Sequence, residues 1–269
     1  MKKIVSLGLI FLFVTYLGVT NVSATPSTTY WTTSTSDVQP YGVWHLGIDN
    51  YFTLFKDKGT LGTESGSLTN APVFGLTVGV LPFEKLNMEV GVDMIEGTYD
   101  TSTTPNKNYP LFFNGKLGTP EGSLFEGSPA LNIGMWNIGT KAYDSNTGFG
   151  TNYNIIHAMV GKTLPSDMGR LHVGYYTGND KLLFDATSTA TPKTPNNSGF
   201  MIGYDKWLVK DKFMFAADWA TGKNAISGGG FGIYWFYTPS VSLLMGPVFP
   251  DKDTYGKDWV WTTQMDINF

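Results

Sequence analysis

The sequence predicts an all-β protein, a single antiparallel transmembrane β-barrel of about twelve strands, with ten to fourteen as the margin. Three observations predict it. The chain carries 32 Gly and 14 Pro, with 15% aromatic and only 15% charged residues, so Gly and Pro punctuate stretches filled by aromatic and β-branched side chains. Apolar and polar residues alternate with a period of two in run after run, the mark of strands with one apolar face. The connections between these runs alternate between long and short along the chain.

The first residues stand outside the pattern. Lys2 and Lys3 precede an uncharged apolar run, Ile4 to Thr20, and Val22-Ser23-Ala24 offers the short residues that a signal peptidase reads. Residues 1–24 therefore read as a cleaved secretory signal peptide; a membrane helix would need roughly 20 apolar residues. Residues 25–39 are polar and Ser/Thr-rich, and are expected to be a disordered lead-in without a function. Residues 40–269 carry the barrel. There is no cysteine, so export does not lead to a disulfide framework. A lone arginine, Arg170, and the lack of a lysine cluster leave no surface for nucleic acid.

The strands follow in order. In the first, Trp44, Leu46, Ile48, Phe52 and Leu54 share one face, while His45, Asp49, Tyr51 and Thr53 share the other. Phe74, Leu76, Val78 and Val80 alternate with Gly75, Thr77 and Gly79. After a tight turn at 82–85, Leu86, Met88, Val90, Val92 and Met94 alternate with Asn87, Glu89, Gly91 and Asp93, which makes a hairpin. Further runs are Leu111–Lys116, Ser128–Thr140, Asn152–Lys162, Arg170–Thr177, Ser198–Lys206, Lys212–Ala220, Gly229–Tyr237, Val241–Phe249 and Asp258–Phe269.

Long connections fall at 56–68, 97–109, 141–151, 178–197, 221–228 and 250–257, and short ones at 82–85, 165–169, 209–211 and 238–240. The connection at 117–127 is longer than a turn should be. Every short turn falls at one end of the sheet and every long loop at the other. A bilayer explains this sorting, because a sheet in lipid must close to leave no edge unpaired, and such barrels carry short turns on one side and long loops on the other. Trp44, Phe55, Tyr175, Tyr204, Trp207, Trp219, Trp235, Tyr237 and Trp259 lie near strand ends, where amphipathic rings suit the headgroup level.

The closing stretch, WVWTTQMDINF, sorts Trp259, Trp261, Thr263, Met265, Ile267 and Phe269 onto one face, and Asp258, Val260, Thr262, Gln264, Asp266 and Asn268 onto the other. With Phe269 following Ile267 and Met265 on the outward face, this strand resembles the terminal signature of bacterial outer-membrane β-barrel proteins. Together with the signal peptide and the strand layout, the chain resembles a small porin-like or transporter-like barrel of that Gram-negative class. The resemblance implies an outer-membrane location and contact with outer-membrane lipid. It also implies that the barrel assembly machinery reads Met265, Ile267 and Phe269, and that small solutes pass.

Catalytic patterns are missing. The phospholipase type of twelve-stranded barrel pairs a His with a Ser two residues on, whereas His45, His157 and His172 are followed at that spacing by Gly47, Met159 and Gly174. An omptin-type protease needs a His–Asp couple at the rim, and no His matches the height of Asp93. There is no G-x-S-x-G, H-E-x-x-H or P-loop, so no enzyme, cofactor or metal site is expected. Asp251-Lys252-Asp253-Thr254-Tyr255-Gly256 begins like a calcium loop, but the fifth and twelfth positions are Tyr255 and Thr262, and a polar outer loop is the better reading.

The strand phase points His45, Asp49, Asn87, Glu89, Asp93, Asn114, Lys116, Asn132, His157, His172, Asp205, Asp218, Gln264 and Asp266 into the lumen. Among the charged ones, six are acidic and Lys116 is the one base; Glu89 points inward, away from lipid, so Glu89→Gln is expected to leave folding nearly intact. A channel for small neutral or cationic solutes fits this lining; acidic oligosaccharides would call for arginines, whose fork grips carboxylates. The alternative is a structural or adhesion barrel with a closed lumen, acting through its outer loops. About twelve strands lies between barrels filled by side chains, at roughly eight, and water channels, at 16–18.

Overall fold

The computed structural model describes residues 35–52, 72–95, 98–256 and 259–269. The expected signal peptide at residues 1–24, residues 25–34, and Thr53, Leu54, Phe55 and Asp258 lie outside them. Twelve strands close into one antiparallel barrel: β1 (Trp44–Phe52), β2 (Val73–Gly79), β3 (Asn87–Ile95), β6 (Leu111–Thr119), β7 (Ala130–Gly139), β8 (Asn152–Thr163), β9 (Arg170–Thr177), β10 (Ser198–Val209), β11 (Phe213–Ala220), β12 (Gly228–Thr238), β13 (Val241–Pro250) and β14 (Val260–Asn268). A short ribbon, β4 (Tyr99–Asp100) with β5 (Lys107–Asn108), stands in the loop between β3 and β6. Each barrel strand pairs with its neighbours in sequence, and β14 returns to β1 with His45 opposite Asn268, which leaves the barrel no free edge. Trp44 and Phe269 exchange two main-chain hydrogen bonds at 2.8 and 3.0 Å and complete that seam.

The turns after β2, β6, β8, β10 and β12 lie at the same end as the start of β1 and the end of β14, and the longer connections lie at the other. The β6–β7 connection is long because it folds back on β8. Glu121 accepts hydrogen bonds from the Thr163 main-chain N and hydroxyl at 3.1 and 2.7 Å, and meets Lys162 Nζ at 2.8 Å. Burial works to raise the Glu121 carboxyl, but the Lys162 and Thr163 donors outweigh it and hold it below the usual range.

Side chains alternate as the period of two requires. In β8, Ile155, His157, Met159 and Gly161 are buried inside, and Ile156, Ala158 and Val160 are exposed on the outer wall. Trp207 departs from its expected place. It follows the inward phase of Asp205 and packs 4.8 Å from Phe236 inside the barrel, so it does not belong to the headgroup rings. The calcium-like stretch is a capped helical turn, α1 (Lys252–Tyr255). The Asp251 carboxylate accepts from Thr254 N and Oγ1 at 2.9 and 2.8 Å, and Gly256 ends the turn at φ 66°.

Candidate functional site

The lumen has two unlike walls. The polar wall runs from β14 through β1, β2, β3 and β6 to β9. Across β3, β6, β7, β8 and β9, the residues Glu89, Lys116, Gly134, His157 and Tyr176 are successive register partners, which makes one ring of inward positions. Glu89 and Lys116 form an ion pair at 3.2 Å, with both side chains buried. His157 stacks on Trp136 at 5.1 Å, and neither of its ring nitrogens meets a hydrogen-bond partner among the described residues. Closer to the short turns, Arg170 grips Asp205 with two nitrogens at 3.0 and 2.9 Å, and His172 Nε2 meets the same carboxylate at 3.1 Å. His45 contacts Asp266 at 3.4 Å and Asn268 at 2.8 Å.

Arg170 corrects the sequence reading in which Lys116 is the only inward base. Arg170 begins β9 with the phase of His172, and both point inward. Its neighbours Asp205 and Asp37 come from β10 and from the segment before β1, and no spacing in the sequence connects them.

A second ring joins Asp266, Gly47, Gly75 and Asp93 across β14, β1, β2 and β3. Asp49 stands one inward step from Gly47. The two glycines thin the wall between carboxylates, and a Cβ on Gly75 would lie 2.7 Å from Asp93 Oδ1. Asp93 accepts a hydrogen bond from Asn114 at 2.8 Å. Among the described residues no lysine or arginine bridges Asp49, Asp93 or Asp266. Asp218 is buried on β11, with Gly203 and Gly230 as its register partners. Asn132 and Gln264 are buried inward as well, while Asn87 and Asn114 are half-buried.

The opposite wall is apolar. Met214, Ala216, Tyr234, Phe236, Leu244 and Val248, from β11, β12 and β13, form a buried cluster on the inward phase. A second cluster near the long loops joins Ile155, Met159, Tyr176, Met201 and Ala220 to Leu183 and Ile226, which the loops bring inward. Attention to polar inward positions missed these residues. The available signal was that stretches such as FMFAADWA and VSLLMG are mostly apolar on both phases, with Asp218 and Ser242 as the polar exceptions.

Residues 35–39, read as the end of a disordered lead-in, are ordered inside the barrel, with Thr35, Ser36 and Gln39 buried. Composition misses this because the segment is held by polar contacts to the lumen and not by an apolar face of its own. It places Ser36 Oγ 3.0 Å from His172 Nδ1, in line with Asp205. This supplies the hydroxyl beside a histidine that local spacing does not. It serves as an anchor: the Ser36 main-chain N–H shares Nδ1 at 3.2 Å, Arg170 holds the carboxylate, and Ser36 Oγ is packed on Gly161 so closely that a Cβ there would collide with it.

No protein-family model and no curated protein matches the sequence. Among solved structures, the chain is similar to the KdgM porin at 6% identity and TM-score 0.50, over 84% of this chain and 99% of that one. It is also similar to an outer membrane channel from Pseudomonas putida F1 at 12% identity and TM-score 0.46, over 87% and 98% of the two chains. At such identities the likeness is one of fold: the closed antiparallel barrel that the chain shares with the KdgM porin.

Proposed function

We propose that the protein is an outer-membrane channel for small neutral or cationic solutes. One observation carries the reading: Asp49, Asp93 and Asp266 line a stretch of lumen wall thinned by Gly47 and Gly75, without a bridging lysine or arginine among the described residues. In a narrow pore with low-dielectric walls, one sign of charge concentrates counter-ions. The facing apolar wall and the ring nitrogens of His157, which meet no hydrogen-bond partner among the described residues, suit neutral solutes with both apolar and hydrogen-bonding parts. The burial of so many inward side chains favours the alternative, a barrel with a closed lumen that acts through its loops. Current across a planar bilayer separates the two.

The expected result is a current with modest cation preference, read as the sign of the reversal potential in a potassium chloride gradient. The preference should shrink in molar salt, where the screening length falls from roughly 8 Å to about 3 Å. Asp49→Asn with Asp93→Asn should reduce it further. An anion-selective sign would overturn the role given to these acids, and no current would favour the closed barrel.

The outer-membrane reading also makes Met265, Ile267 and Phe269 the element read by the barrel assembly machinery. Phe269 is 37% exposed, so the burial of its ring against the barrel is only partial. Deleting Phe269 should lower the amount inserted in cells, while refolding of the purified chain into detergent changes little. Normal insertion of the truncated chain would remove the assembly role.

A further inference from the structure

Residues 35–40 cross the short-turn end of the lumen as an extended strap. About 3.3 Å per residue lets six residues span roughly 20 Å, which is several strand spacings. The strap starts beside β9 and ends at β2, next to its own root at β1. Its contacts are shared among the intervening strands. Asn132 of β7 donates to Thr35 O at 2.7 Å, Lys116 of β6 to Asp37 O at 2.6 Å, and Gln39 N donates to Glu89 of β3 at 2.7 Å. Arg170 of β9 pairs with Asp37 at 3.0 Å, and Ser36 bonds His172.

The even-numbered residues lie over glycines. Ser36 sits on Gly161, Val38 on Gly118 and Pro40 on Gly79. A Cβ at Gly161 would collide with Ser36 Oγ, one at Gly79 would collide with Pro40 O, and one at Gly118 would lie 3.0 Å from Val38 Cγ2. The strap's own period of two thus matches three side-chain-free places on β8, β6 and β2. This is a cradle shaped for one extended segment of this chain.

We propose that residues 35–40 are a tethered gate, which narrows the channel when seated in the glycine cradle and opens it when lifted. The proposal rests on the channel reading above. Apart from the Tyr41–Gly79 bridge at its root, the strap is held to the barrel by side chain–main chain bonds, the Ser36–His172 side-chain bond and one ion pair, none of them a strand-pairing bond of the wall, so it can leave without opening the barrel. Gly42, at φ +76°, turns the chain into β1 and donates its N–H to Gly79 O at 2.9 Å, which keeps the root seated while the strap before Tyr41 lifts. Lifting the strap would also free Lys116 and Arg170 from their bonds to Asp37.

The test uses the full chain in a planar bilayer. Asp37→Ala removes the ion pair to Arg170 and should raise the occupancy of the open level by about tenfold, the factor that about 1.4 kcal/mol makes. Because the chain has no cysteine, Ser36→Cys with Gly161→Cys installs a unique pair. The built Cβ of residue 161 lies 2.7 Å from Ser36 Cβ, and a lift of about 1 Å reaches the spacing of a disulfide. Oxidation should hold the channel at its low level, and dithiothreitol should restore opening. If the cross-linked and reduced channels, with the bond verified by mass, carry the same current, the gate is overturned and the channel stands. If the paired variant does not fold, Asp37→Ala decides alone, and an unchanged open occupancy overturns the gate. No current from either wild type or Asp37→Ala would overturn both readings.

Discussion

Replacing Lys116 with methionine is expected to destabilise the barrel by roughly 3–5 kcal/mol, the largest effect among the substitutions considered. Lys116 and Glu89 are 6% and 5% exposed at their side chains and lie 3.2 Å apart. Removing one member of a buried pair leaves the other charge uncompensated, and that desolvation is what makes the single change costly. The Lys116→Met, Glu89→Gln double variant removes both charges and should recover much of the loss, because buried pairs often contribute little over a neutral replacement. Urea unfolding in lipid vesicles measures both. A double variant no more stable than the single one would show that the ion pair is not the cause. The same geometry reverses the sequence expectation for Glu89→Gln alone, which now leaves Lys116 buried and short of a partner.

The second large effect lies one residue away on the opposite face. Val90→Arg should cost roughly 2–4 kcal/mol, the penalty of an arginine near the bilayer midplane. Val90 sits mid-strand in β3, between Val78 and Gly115, and is 38% exposed on the outer wall. Val90→Leu keeps the face apolar and is the control. A loss for arginine below about 1 kcal/mol would place Val90 near an interface and not at mid-depth.

The sequence by itself determined the barrel: its twelve strands, the sorting of short turns from long loops, and the two faces of each strand. A period-two pattern is local, so Ile156 and Val160 declare the outer wall and His157 the inner one without any long-range information. Inward acids such as Asp49 and Asp93 were legible for the same reason. What tertiary structure decided is who meets whom. Arg170 was visible as a residue at the start of a strand, but its grip on Asp205 and Asp37 depends on the closure that brings β9, β10 and the strap together. Trp207 lies near a strand end in sequence, yet its phase and the apolar wall of β11 to β13 draw it inside. The lead-in shows the gap most clearly. Its Ser, Thr and Asp composition is that of an unfolded segment, because alone it has too little apolar surface to offset the cost of ordering it. Gly79, Gly118 and Gly161, dispersed over three strands, become its cradle only when the barrel closes.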